Sequence, residues 1–347
     1  MRWLLHLWRW FLGLWRRPEK VSVRYQTLAE DGIPWQVWPI PARIIAVGDI
    51  HGELAHLGAI LRECELIDAQ GTWRGGTTHL VLLGDLVGGS ADSRLLVNFV
   101  LRLETEAKAQ GGAVHALLGN HDLIPAQGDV GKMTRSERAL YEYPVVNGAP
   151  GTKAKHAFRG HSVYAQWLRQ RNSLLKIGDT LFVHAGLDKW ALETEPGRIN
   201  ATIRAWIRYW QGVDEKPGKR TRWAVGKPGM ERGSRWETGP LWNRAFKAKA
   251  KRRPRSGPKR KTLRKILERF AVKRMVIGHA PVPSSEILLS HPYYESMVVS
   301  IDTRIGDGKH GSLSALEIRA GHLRPIYAPS PDGGEVLLEI ERKKLLG

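Results

Sequence analysis

One cysteine, Cys64, stands among 347 residues, which excludes an internal disulfide and any thiolate metal cluster. It falls among apolar residues on an expected helix and reads as a small core side chain. Long apolar runs are equally scarce. The best candidate, at the amino terminus, falls short of the ~20 residues a spanning helix needs and is broken by Arg9. Acids are the third shortage, 34 against 54 Lys and Arg, giving a net charge of +20. A field of that sign attracts polyanions: nucleic acid, anionic lipid, or phosphorylated and acidic substrates. At 42% hydrophobic the chain still has an ordinary soluble composition, and its length suits one large core or about two domains.

What is present begins with tryptophan. Residues 1–17 read MRWLLHLWRWFLGLWRR, with polar or small residues at Arg2, His6, Arg9, Gly13 and Arg16. Alternating steps of four and three trace one polar stripe on a helix, and Trp, Leu and Phe cover the rest. Tryptophan favours the membrane–water boundary and arginine the anionic headgroups. Residues 1–20 therefore read as an amphipathic, peripheral membrane-association helix on a cytoplasmic protein. The alternative is an export signal or anchor, although Trp-Arg-Arg-Pro-Glu-Lys follows where a cleavage site would stand.

Farther on, apolar strands alternate with helices. Strands are expected at 43–47, 78–83 and 113–118, with helices at 53–66 and 90–110 between them, implying a buried sheet of α/β type. Residues 123–175 are irregular and mostly helical, and are expected to form a cap insertion beside the site. Strands resume at 176–183, 272–277 and 297–301, with short strands expected from there to the end. The main domain is placed at 40–330. Within it, residues 247–265 hold 11 basic residues and no acid. They read as a basic loop, either simply solvated or a second dock for an anionic membrane. Without interleaved aromatics the segment lacks the stacking platforms of a nucleic-acid binder.

Five short motifs follow expected strands in order: GDIHG (48–52), GD (84–85), GNHD (119–122), VHAG (183–186) and IGHA (277–280). They supply Asp49, His51, Asp85, Asn120, His184 and His279, the oxygen and imidazole set that two divalent cations sharing one carboxylate need. Such ligands suit Mn, Fe or Zn. The adjoining glycines permit the strand-to-loop turn where larger side chains would crowd the ions.

These motifs resemble the calcineurin-like metallophosphoesterases, whose fold is a double β-sandwich flanked by helices. GNHD, FVHAGL (182–187) and GPLWNR (239–244) look most like the Shewanella-like branch of the phosphoprotein phosphatases. The resemblance covers roughly residues 43–302. It implies that Asp49 and His51 bind one metal, that Asp85 bridges, and that Asn120, His184 and His279 hold the second. Asn120 and Arg244 would contact substrate phosphate, and His121 would protonate the leaving oxygen. The implied activity is a metal-dependent phosphatase, with Mn the first expectation, cleaving phosphoprotein or small phosphate monoesters by attack of a metal-bridging hydroxide. Alternatives are a dinucleotide polyphosphate or nucleotide hydrolase, and a membrane-tethered phosphate-binding protein with little turnover.

One motif departs from the family. Where GD-x-x-DRG is usual this chain reads GDLVGGS, with Gly88 and Gly89 in place of Asp and Arg. The Asp would orient His121 and the Arg would bind phosphate. Arg94, Asp92 and Asp122 are candidate substitutes, and the two glycines are expected to widen the pocket. Asp302, ending VVSID, is either a structural cap or a partner of the site.

Overall fold

The computed structural model describes residues 32–131, 133–142, 153–218, 224, 239–248, 257–307, 310–329 and 331–346. The amino-terminal helix expected over 1–20 lies outside them, as does part of the basic segment. Two five-stranded sheets pack face to face. The first has the order β10 (His322–Tyr327), β9 (Ser314–Arg319), β2 (Arg43–Val47), β3 (His79–Leu82), β4 (Ala113–Ala116). The second runs β1 (Gln36–Val37), β5 (Leu174–Ile177), β6 (Thr180–Val183), β7 (Arg274–Ile277), β8 (Val298–Ser300). β2, β3 and β4 are parallel, as are β6, β7 and β8.

Period-two alternation explains the layering. Ile44, Ala46, Val81 and Leu83 turn inward and meet Phe182, Val276 and Val299 of the opposite sheet. Ile45, Val47, Leu80 and Leu82 turn outward and are covered by helices. Helix α1 (Leu54–Glu63) crosses from β2 to β3, and α2 (Ser93–Ala109) from β3 to β4. Leu57, Ile60 and Leu61 recur at helical spacing on the buried face of α1, and Leu96, Phe99, Val100 and Leu103 on that of α2. Each fully buried Leu or Ile contributes about 1.5–3 kcal/mol, so the sandwich core and two helical seams fix the sheet register.

After β4 comes a group of short helices: α3 (Asn120–Ala126), α4 (Arg135–Leu140), α5 (Ala154–Ala157) and α6 (Val163–Arg169). Three expectations need correction here. The run 176–183 is not one strand but a hairpin shifted to Leu174–Val183, because Gly178 (φ +60°) and Asp179 form a two-residue turn between Ile177 and Thr180. The segment 247–265 is not a loop throughout: Arg260–Arg269 is helix α8, amphipathic, with Leu263, Ile266 and Leu267 buried. The chain does not end in strands either. Helix α9 (Asp332–Leu346) packs on α1 and α2 through buried Leu337 and an Arg102–Glu341 ion pair at 2.7 Å. A further helix, α7 (Pro196–Trp210), opens a stretch rich in Gly, Pro, Trp and Arg, with proline at its first turn and Ile199, Ile203, Trp206 and Ile207 buried.

Among the described residues no helix is long and apolar enough to cross a membrane.

Candidate metal centre

The carboxyl ends of β2, β3 and β4 from one sheet, and of β6 and β7 from the other, open on one cavity of about 490 Å³. Asp49, His51, Asp85, Asn120, His121, Arg244 and His279 line it. His184, fully buried, lies beneath: its Nε2 is 3.5 Å from Asp85 Oδ2 and 3.0 Å from Asn120 Oδ1. Every residue predicted for the site therefore converges, from six positions spread over 230 residues of chain. Close approach is what requires the flanking glycines: a Cβ on Gly119 would fall 2.1 Å from Asp85 Oδ1, and one on Gly278 would fall 2.2 Å from Asp49 Oδ1.

Among the described residues, two groups present ligand atoms within 4.8 Å of one another: His51, Asp85 and His121; and Asp85, His184 and His279. Asp85 belongs to both. The division differs from the family pattern at two positions. His121 stands with the first group, and Asp49 is in neither: both its oxygens accept the His279 backbone N–H at 3.0 Å, and its Oδ1 lies 3.9 Å from His184 Nδ1.

Protonation favours cations. His184 Nδ1 donates to the Leu83 carbonyl at 2.8 Å, which leaves the Nε2 lone pair facing Asp85 and the Asn120 oxygen. Burial pushes the His184 and His279 pKa values down, which favours the neutral imidazole a cation needs, and it pushes His121 down as well. Burial works to raise Asp85, but the pull of His184, and then of His121, His51 and His279, in their protonated forms outweighs it and holds the carboxyl at about 2. Burial, with Asp302 and Asp85 nearby, pushes Asp49 well up. His279 Nε2 and the Nδ1 atoms of His51 and His121 are buried without a hydrogen-bond partner among the described residues. Lone pairs without donors beside crowded carboxylates fit divalent cations, which require neutral imidazole and ionised carboxylate.

The departing motif has its own structure. Gly88 and Gly89 do not widen the pocket, because the His121 ring and the Cβ and carbonyl of His51 take the room: Cβ atoms there would lie 2.6 Å from His121 Nδ1 and 2.8 Å from His51 Cβ and O. The three proposed substitutes serve elsewhere. Asp122 accepts four backbone N–H bonds, from Asp85, Leu86, Val87 and Gly119, and so shapes the loop. Arg94 bonds the Tyr164 hydroxyl at 3.0 Å and the Leu140 carbonyl. Asp92 pairs with Arg342 at 3.2 Å.

Sequence reasoning missed Glu137 of α4. Fully buried, it accepts from the Gly88 N–H at 2.8 Å and the Ser93 hydroxyl at 2.7 Å, tying the short helices to the glycine loop. Its Thr-x-x-Glu spacing was visible as a helix cap, but not the reach to Gly88. Of the loop after β8 it named Asp302 but missed Arg304 and Asp307, which line the cavity beside it. Two further histidines are anchors. His291 Nε2 meets the Phe246 carbonyl at 3.1 Å, fixing the short turn that carries Arg244, and His56 Nδ1 meets the Ile305 carbonyl at 2.7 Å. Asp302 is buried and its pKa is pushed up to about 6, chiefly by burial.

The profile of the calcineurin-like phosphoesterases matches residues 42–283 of this chain. Shewanella-like protein phosphatase 2 of Arabidopsis thaliana is 26% identical over 210 residues, 50% of this chain and 53% of that protein. Shewanella-like protein phosphatase 1 of Plasmodium berghei is 26% identical over 258 residues, 74% of this chain and 65% of that protein. The chain thus spans about half to two thirds of the length of these relatives. The cold-active protein-tyrosine phosphatase of a psychrophilic Shewanella species superposes with a TM-score of 0.66 at 23% identity, over 86% of this chain and 83% of that one. That likeness is one of fold.

Proposed function

Since the chain belongs to the calcineurin-like phosphoesterase family, we propose that it is a metal-dependent phosphatase hydrolysing phosphate monoesters at an anionic membrane surface. The observation that carries the reading is the shared carboxylate: Asp85 stands within 4.8 Å of ligand atoms in two separate groups. Two divalent cations held there, Mn first and Fe or Zn as alternatives, would supply positive charge and a water acidified toward neutral pH.

This chain's own residues do the rest. His51, Asp85, His184 and His279 hold the ions, with Asp49 and Asn120 completing the set. The Asn120 amide and the Arg244 guanidinium, a planar two-pronged donor, orient the phosphoryl oxygens. His121, whose backbone N–H is pinned to Asp85 Oδ1 at 2.7 Å, delivers a proton to the leaving oxygen. Mn-loaded protein should turn over p-nitrophenyl phosphate, and Asp85→Asn should abolish that turnover. Preference for dinucleotide polyphosphates over monoesters and phosphopeptides would move the reading to a nucleotide hydrolase. Absence of metal-dependent turnover on all three would leave phosphate binding alone.

The membrane part of the reading is supported by the Trp/Arg pattern of residues 1–17 and by helix α8, which buries its leucines and leaves Lys261, Arg264 and Lys265 exposed. Deleting residues 1–17 should release the protein from liposomes carrying phosphatidylserine. Full sedimentation of the truncated protein would refute an anchor there.

A further inference from the structure

We propose that Arg304 is a second phosphate-binding residue and that, with Arg244, it selects phosphomonoester dianions over diesters; this rests on the phosphatase reading above. Backbone conformation is the first argument. Among the described residues nine other than glycine have left-handed φ, and four of them line this one cavity: His51 (+53°), Asp85 (+52°), His279 (+61°) and Arg304 (+60°). Three are candidate metal ligands. Such a conformation is costly for a residue with a Cβ and persists where the surroundings impose it, most often at working sites. Glycine at 304 would remove the strain, yet a long cation stands there.

The second argument is preorganisation. The Arg304 N–H donates to Asp302 Oδ1 at 3.1 Å, and its carbonyl accepts from the Asp307 N–H at 2.8 Å. His56 holds the Ile305 carbonyl, and Ile305 itself is buried. Thr303 Oγ1 donates to the Ser312 carbonyl at 2.7 Å. The backbone is thus fixed on both sides of position 304, while the exposed Arg304 side chain has no carboxylate within 4.0 Å of its guanidinium among the described residues. Arg244 is likewise exposed, without an acidic partner at that distance among those residues, and lines the same cavity.

Chemistry supplies the selectivity. A phosphomonoester has three terminal oxygens and up to two negative charges, whereas a diester has two such oxygens and one charge. A second guanidinium therefore finds an oxygen and a charge on the monoester that the diester lacks.

The test measures orthophosphate binding to Mn-loaded full-length protein by calorimetry, with melting temperatures and turnover of p-nitrophenyl phosphate and bis(p-nitrophenyl) phosphate beside it. Arg304→Ala should weaken orthophosphate binding about tenfold and depress kcat/KM for the monoester about tenfold more than for the diester. Arg304→Lys should restore part of the affinity. Arg304→Gly should bind as weakly as the alanine variant while melting at a higher temperature, because the left-handed strain is gone. Equal orthophosphate affinity in wild type and Arg304→Ala, equal losses on both esters, or lower melting in all three variants would overturn the proposal. If the wild type turns over neither ester but its orthophosphate affinity depends on Arg304, the phosphatase reading fails and Arg304 remains a phosphate ligand. If the wild type turns over and Arg304→Ala matches it, the reverse holds. If the wild type binds no orthophosphate, both fall.

Discussion

Adding one methyl group at position 88 should destabilise the fold by about 2–5 kcal/mol, and about half of that cost should vanish when the ring of His121 is removed. Gly88 has φ +87°, and a Cβ built on it falls 2.6 Å from His121 Nδ1 and 3.2 Å from His121 Cβ. Left-handed backbone costs a residue with a Cβ about 1–2 kcal/mol. Forcing a methyl into a filled space adds about 1–3 kcal/mol. In a His121→Ala background the clash with the ring disappears, while the backbone term and the 3.2 Å approach to the Cβ of residue 121 remain, so a double-mutant cycle on Gly88→Ala and His121→Ala should return a coupling of about 1–3 kcal/mol. Urea unfolding of metal-free protein reads both terms. The same geometry governs Gly88→Asp, which writes the family's aspartate back into the motif: it should lower turnover. The reasoning fails if Gly88→Ala costs the same with and without the His121 ring, or if Gly88→Asp is more active than wild type.

Two more tests follow from buried acids. Glu137→Ala strands the Gly88 N–H and the Ser93 hydroxyl and leaves a hole in a buried site, so stability should fall by about 3 kcal/mol. Because Gly88 abuts His121, kcat on p-nitrophenyl phosphate should fall with it; full kcat in a destabilised variant would make Glu137 merely structural. Asp302, at about 6 in the fold against 3.8 in the open chain, holds its proton more tightly when folded. Its stabilising contribution is complete below about pH 4 and is lost as pH rises through 6. Asp302→Asn should therefore stabilise metal-free protein above pH 6 by up to about 3 kcal/mol and change little at pH 4. A variant destabilised at both pH values would show that the carboxylate charge is needed in the fold.

The site was legible in the sequence where chemistry dictates residue type. Metal-binding side chains must be Asp, Asn or His, must follow a strand, and must stand beside glycine where another atom would collide. Asp49, Asp85, Asn120 and His279 meet all three conditions, His184 between Val183 and Ala185 meets the first two, and strand β2 was placed at its observed bounds. What escaped depends on the third dimension. No residue type announces that Arg304 has left-handed backbone, and Glu137 reads as an ordinary helix cap until α4 is folded against Gly88. The hairpin at Gly178 was hidden because strands on either side of a two-residue turn form one apolar run. Helix α7 carried a readable period, Ile199, Ile203, Trp206 and Ile207, masked by surroundings rich in glycine and proline. The widened pocket was inferred from the absence of two side chains, whereas the His121 ring and the Cβ and carbonyl of His51 fill their place.

The candidate ligands come from both halves of the sandwich. Asp49, Asp85 and Asn120 hang from the first sheet, and His184 and His279 from the second. Cations seated among them would clasp one layer to the other, so chelation would loosen the joint between the sheets before it unravelled either one. A folding intermediate with only one sheet in place would hold only part of the candidate ligand set, and the full set would assemble when the layers close.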